Sequence, residues 1–193
     1  IEGYKKAFEA AFGGNAISKD TATKAIAAYE RTLITPNSPY DKYTSGEKSA
    51  MTEQQVRGMN KVAELGCTSC HSGSAFNGPG MFQKFPMHSN GMYQAKYHFN
   101  KDLGLAEVTK KSEDEHMFKV PTLRNIALTA PYFHNGAVKT LDEAVKVMGK
   151  LQLNKDLSNE EIDDIVAFLN ALTGEFPEQK MPRLPETAGS TFN

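Results

Sequence analysis

Cys67-Thr68-Ser69-Cys70-His71 constrains the chain more than any other segment. A C-x-x-C-H run is what covalent attachment of c-type haem requires. Both sulfurs can reach the two vinyl groups while the adjacent imidazole ligates iron. The competing uses of such a run fit less well. A disulfide would consume both cysteines and leave His71 without a role. A thioredoxin-type pair follows a strand, whereas here a helix-like segment leads into the motif. A structural zinc site needs a second pair of N/S ligands, and these are the only two cysteines. The motif therefore predicts a redox-active iron porphyrin held by Cys67, Cys70 and His71.

The 193 residues, 39% of them apolar, suffice for one good core or for one domain plus part of another. A net charge of -1 argues against a nucleic-acid partner, which calls for a basic face. No run is long and apolar enough to span a bilayer, and residues 1–10 do not read as a signal peptide. Covalent haem attachment implies export, so the expected location is the periplasm, with the targeting segment absent from this chain.

Periodicity predicts a mainly α protein. Tyr4, Phe8, Ala11 and Phe12 share one helix face before Gly13-Gly14, and Ile26, Tyr29 and Leu33 share another before Pro36. Thr52-Glu53-Gln54-Gln55 reads as a capping box opening a helix whose inner stripe is Val56, Met59, Val62 and Ala63. A small cytochrome places its attachment site just after such a first helix. Ser158-Asn159-Glu160-Glu161 opens the strongest helix, with Ile162, Ile165, Val166, Phe168, Leu169 and Leu172 inside and Gly174 as its stop. No segment alternates convincingly enough to predict a strand. Residues 73–129, rich in Gly and Asn, are expected to form loops and short helices over the porphyrin edge, with Phe76, Phe82, Phe85 and Phe118 as candidate lining.

An internal echo bears on domain organisation. Residues 26–33 match residues 165–172 in the placement of Ile, Ala, an aromatic and Leu, and a proline-containing stretch follows each. If each is the last helix of a cytochrome-like domain, residues 1–35 end an upstream domain, 36–46 form a linker, and 47–193 form a haem domain with a C-terminal tail.

Four segments, taken together, resemble the bacterial di-haem cytochrome c peroxidases and their MauG relatives. They are residues 28–36, residues 66–73 around the C-x-x-C-H run, residues 120–136 (Val-Pro-Thr-Leu-Arg-Asn-Ile-Ala-Leu-Thr-Ala-Pro-Tyr-Phe-His-Asn-Gly), and Val147-Met148-Gly149. The resemblance runs through nearly the whole chain in the right order. It implies a cytochrome c-like helical fold around covalent haem c, in a periplasmic enzyme with two such domains. In that family the upstream domain reduces hydrogen peroxide, and the downstream one accepts electrons from a small donor protein, a cytochrome c or a cupredoxin. This chain corresponds to the end of the first domain and all of the second. It lacks the peroxidatic attachment motif and the acid-base residues around it, so the catalytic residues are expected outside it. It also has no Trp, which the family usually places between the haems.

The second axial ligand decides what the haem does. From residue types alone Met, His, Tyr or no residue could fill that side, and eight methionines do not choose among themselves. A thioether stabilises ferrous iron and suits electron acceptance, whereas an open position suits peroxide binding. The resemblance implies Met148, by its place after residues 131–134 and its Met-Gly pair; a Tyr here would point to the MauG branch. It also implies that His134 is a polar contact beside the porphyrin rather than an iron ligand. Arg124 could pair with a haem propionate, or be an ordinary surface or interdomain arginine. The family's interdomain calcium implies main-chain ligands at Thr129 and Pro131, since oxygen suits this hard cation. Family members are often homodimers, which extends to this chain as an expectation. Two alternatives to the peroxidase reading are a mono-haem electron carrier without enzymatic activity, and a MauG-like oxidase, which would need a non-Met ligand at this iron.

Overall fold

The computed structural model describes residues 1–14 and 16–185. Its chain divides into two compact units: Ile1–Thr35 with the described residues from Phe176 onward, and Pro36–Glu175.

The first unit carries α1 (Glu2–Phe12) and α2 (Lys19–Glu30). Gly13, in a positive-φ conformation, ends α1, and a Ser18/Thr21 capping box opens α2. Neither helix buries a residue. Ile26, Tyr29 and Leu33, the predicted apolar stripe, are 58%, 48% and 44% exposed.

The second unit begins with α3 (Pro39–Thr44), followed by α4 (Glu53–Glu64), α5 (Gly91–Tyr97), α6 (Ala106–Thr109), α7 (Leu141–Leu153) and α8 (Asn159–Ala171). Residues 36–46, read from the sequence as a linker, are folded into this unit. Ser38 caps α3 in a capping box with Asp41 and is fully buried, while Tyr40 packs edge-on against Phe76 and Phe168. The described residues from Phe176 onward, assigned from the sequence to the haem domain as a tail, cluster with the first unit.

The expectation of no strand also needs correction. Strands β1 (Phe82–Lys84) and β2 (Met117–Lys119) pair antiparallel, with Phe82 opposite Lys119 and Lys84 opposite Met117. Strands of three residues are too short to display alternation. Past β1, the Met87 and His88 amides donate to the Leu151 carbonyl at 3.1 and 2.9 Å, tying this ribbon to the end of α7.

The predicted capping boxes at Thr52/Gln55 and Ser158/Glu161 are both present. They start α4 and α8, which cross in close contact. At the crossing, a Cβ placed on Gly58 would lie 1.8 Å from the Asp164 carbonyl oxygen and 2.9 Å from the Phe168 Cβ. Arg57 and Asp164 flank it in a two-pronged ion pair, Nε to Oδ2 and NH2 to Oδ1, both 3.0 Å. Around the crossing Met51, Val62, Phe76, Val145, Ile162, Ile165, Phe168, Leu169 and Leu172 form one apolar cluster. A second gathers Phe85, Tyr97, Phe99, Tyr132, Val138, Val147 and Leu151. Ile126 and Leu141 pack against both.

Candidate haem site

The attachment motif follows α4 directly. Gly66 adopts a left-handed conformation, φ 82°, which reverses the chain out of the helix at little steric cost because glycine has no Cβ. Cys67–Ser69 then form one 3-10 turn, closed by the His71 amide on the Cys67 carbonyl at 2.9 Å. Both cysteines are unpaired thiols. Burial pushes the Cys67 thiol above its usual pKa, and Cys67 packs against the first apolar cluster.

His71 carries the most informative geometry. Its Nδ1 lies 3.2 Å from the Phe76 carbonyl oxygen and 3.2 Å from that of Pro121. A carbonyl can only accept, so Nδ1 bears the proton and Nε2 keeps its lone pair. Burial lowers the pKa of the ring, which favours the neutral imidazole that binds metals. A metal-ligating histidine usually donates its other ring N–H to a carbonyl or carboxylate in this way.

The segment facing His71 is held by a clasp. Three consecutive carbonyls accept from three different side chains: Ser74 from Arg124 Nε at 2.9 Å, Ala75 from the Thr122 hydroxyl at 2.5 Å, and Phe76 from His71. The other guanidinium nitrogens of Arg124 reach Ser38 Oγ at 3.1 Å and Asp41 Oδ1 at 2.8 Å. Burial pushes the Asp41 carboxyl upward, but hydrogen bonds from Arg124 and Ser38 outweigh it and hold the pKa below the usual carboxylate range. Of the two expectations for Arg124, a propionate partner or an ordinary arginine, the structure speaks only to its protein contacts: every nitrogen of its fork has a protein partner, and α3 supplies the carboxylate.

Met148 lies on α7, half-buried, and packs against the second cluster. The thiol turn thus adjoins one cluster and the thioether the other, and the two meet at Ile126 and Leu141. His134 donates from Nε2 to the Phe99 carbonyl at 3.1 Å and stacks on Phe118 with ring centroids 4.2 Å apart. Thr129 and Pro131 lie in an exposed turn. Of the four candidate lining rings, Phe76 and Phe85 are buried, Phe118 is half-buried, and Phe82 is 42% exposed on β1. Two surface depressions, of about 330 and 390 Å³, lie along α7/α8 and α4/α8, and their lining includes none of these candidate site residues.

The sequence reading overlooked the clamp that fixes α7. Tyr97 donates to Glu143 Oε1 at 2.5 Å, and Lys96 Nζ approaches the same oxygen at 3.2 Å. Burial raises the Glu143 carboxyl pKa, but the bonds from Tyr97 and Lys96 outweigh it, so the net shift is downward. A depressed carboxylate adds stability that is present above the unfolded value of about 4.3 and is lost as pH falls through the folded one. Acid unfolding followed by circular dichroism is therefore expected to steepen below about pH 4.3, and Glu143→Gln is expected to lose part of that steepening.

Two thiols and a lone-pair nitrogen on one turn make a donor set suited to thioether-linked haem c. Comparison with known proteins agrees. The family model for di-haem cytochrome c peroxidase matches residues 1–49. Cytochrome c551 peroxidase of Nitrosomonas europaea is 41% identical over 97% of this chain and 54% of its own length. The Pseudomonas aeruginosa protein of the same name is 40% identical over 99% of the chain and 54% of its length. The methylamine utilization protein MauG of Methylophilus methylotrophus is 31% identical over 96% and 56%. The chain thus spans about half the length of the curated relatives it matches. Among solved structures, a MauG-like protein associated with microbial copper homeostasis aligns with TM-score 0.68 at 27% identity, covering 90% of this chain and 59% of that one. A variant of the diheme peroxidase BthA from Burkholderia thailandensis shares the fold with TM-score 0.60 at 21% identity, covering 88% and 55%.

Proposed function

From the premise that this chain belongs to the di-haem cytochrome c peroxidase family, we propose that it is the electron-accepting haem domain of a periplasmic enzyme, together with the closing helices of the peroxidatic domain. The complete enzyme reduces hydrogen peroxide to water with electrons from a small redox protein, a cytochrome c or a cupredoxin. The observation that carries this reading is the His71 imidazole, its Nδ1 engaged by two carbonyls on the same turn as a free thiol pair.

In this reading Cys67 and Cys70 would tether the haem, and His71 and Met148 would hold its iron. The haem supplies one-electron acceptance and donation, and a high potential follows from the histidine/methionine pair. The protein's part is to orient the ligands and keep water away from them. Phe76 and Phe85 contribute apolar packing in the two clusters, and His134 contributes a polar contact beside the porphyrin.

Burial supports the domain assignment. Ile165, Phe168 and Leu172 are at most 4% exposed, whereas the matching Ile26, Tyr29 and Leu33 lie open. Residues that repeat an interior pattern without covering a core fit the end of a domain whose remainder lies elsewhere in the complete protein. The reading also includes calcium on the Thr129 and Pro131 carbonyls and a homodimeric enzyme.

Replacing Cys67 and Cys70 together with Ala is expected to abolish haem staining of the denatured chain on gels. Persistent staining would refute attachment here. The haem content of the complete protein separates the enzyme from the mono-haem carrier: two haems per chain support the former, and one supports the latter.

A further inference from the structure

The Arg124 clasp acts on the segment that faces His71. Arg124 Nε, the Thr122 hydroxyl and His71 Nδ1 bond successive carbonyls of residues 74–76, and the Pro121 carbonyl that shares the His71 proton lies one residue before Thr122. Thr122 Oγ1 also accepts from the Arg124 amide at 3.1 Å, so both sides of the clasp move together. The guanidinium lies 5.3 Å from the Tyr40 ring centroid and 5.6 Å from that of Phe76, which fixes its plane. Its far edge is held by Asp41 and by the buried Ser38. Polar contacts thus run from the first helix of this unit to the Ser74 and Ala75 carbonyls, and the backbone carries the link on to Phe76 and from Thr122 to Pro121, the acceptors of the His71 imidazole.

We propose that Arg124, held by Asp41, is a positioning residue for His71. It sets the strength of the Nδ1–H hydrogen bonds to the Phe76 and Pro121 carbonyls and thereby the electron donation of Nε2 to the haem iron. The inference rests on the haem reading above. Its physical basis is that outer-shell hydrogen bonds fix the orientation of a ligating histidine and raise its basicity. Lysine retains the charge but not the planar fork, so it cannot hold Ser74, Ser38 and Asp41 at once. A looser clasp weakens the Nδ1 bonds, makes Nε2 a poorer donor, favours ferrous iron and raises the potential.

The test uses the haem-bearing protein and the variants Arg124→Lys, Asp41→Asn and their combination. Redox titration is expected to show both single variants shifted upward, toward about a tenfold change in the ferric/ferrous ratio, equivalent to about 59 mV for one electron. Exchange of the His71 Nδ1 proton with solvent, followed by NMR, is expected to accelerate in the same order. The double variant should shift by less than the sum, because Asp41 acts through Arg124. Asp164→Asn, which breaks an ion pair elsewhere in the unit, should lower the melting temperature and leave both readouts unchanged.

If Arg124→Lys does not accumulate as folded haem protein, Thr122→Val removes the Ala75 bond and the acceptor of the Arg124 amide while leaving the guanidinium bonds in place, and is expected to move both readouts in the same direction. Wild-type potential and exchange in the variants, with only a lower melting temperature, would make the arginine purely structural and overturn the proposal. A wild-type protein without haem would remove the premise as well, whereas a haem-bearing protein with unmoved potentials would remove this inference alone.

Discussion

Gly58→Ala is expected to lower the melting temperature of the chain by about 10 °C, corresponding to a destabilisation of about 3 kcal/mol. Two effects compete at this position. Alanine is favoured over glycine inside a helix by up to about 1 kcal/mol, which alone would make the variant more stable. The new methyl, however, would sit 1.8 Å from the Asp164 carbonyl oxygen, and the carbonyl carbon behind it is at 2.5 Å. These are backbone atoms of α8 and cannot swing aside as a side-chain end would. The helices would have to separate by roughly 1.5 Å to restore ordinary contact, loosening Val62, Ile165 and Phe168 in the same cluster. The steric cost therefore exceeds the propensity gain. Gly91→Ala is the matched control: it lies at the start of α5 with nothing within 4 Å of an added Cβ, and is expected to change stability by no more than about 0.5 kcal/mol. Thermal unfolding of both variants, monitored by circular dichroism, tests the contrast. Equal midpoints would show that the crossing accommodates a methyl group.

Met148→His is expected to leave the iron six-coordinate and low-spin while lowering its potential by on the order of a few tenths of a volt, within the ~0.8 V span that axial ligands cover. A thioether is a soft donor that favours ferrous iron, whereas a second imidazole donates more strongly and favours ferric. The substitution also puts a polar ring into the apolar cluster against which Met148 packs. Some loss of stability is therefore expected beside the change in potential. Spectroelectrochemical titration measures the shift directly, and loss of the ferric methionine-iron charge-transfer band should accompany it. An unchanged potential would exclude Met148 as the ligand.

What could be read from the chain was what local chemistry encodes. The capping boxes at Thr52 and Ser158 reported the starts of α4 and α8 because their partners are three residues away. The attachment motif is likewise local. Helix α7 starts at Thr140-Leu141-Asp142-Glu143, which has capping-box spacing, yet Thr140 makes no side-chain cap bond and Glu143 is engaged by Tyr97 and Lys96 instead, so the local pattern does not report what the residues do. Helix α3 was hidden by its prolines and serines, which read as a linker until Ser38 is seen buried beneath Arg124. Gly58 could not be distinguished from any other helical glycine, since what demands it is a carbonyl on α8. The protein partners of Arg124 were illegible for a related reason: Ser38 and Ser74 lie 86 and 50 residues away. Periodicity carries no information across such separations.

The α4/α8 crossing joins segments as far apart as Arg57 and Asp164, 107 residues along the chain, and the thiol turn lies between them. Closing so long a loop must await delivery of the last helix, and contacts of such sequence separation slow folding. Throughout that interval Cys67 and Cys70 sit on an unclosed polypeptide, so under the proposed reading they would be open to thioether formation before α4 and α8 meet.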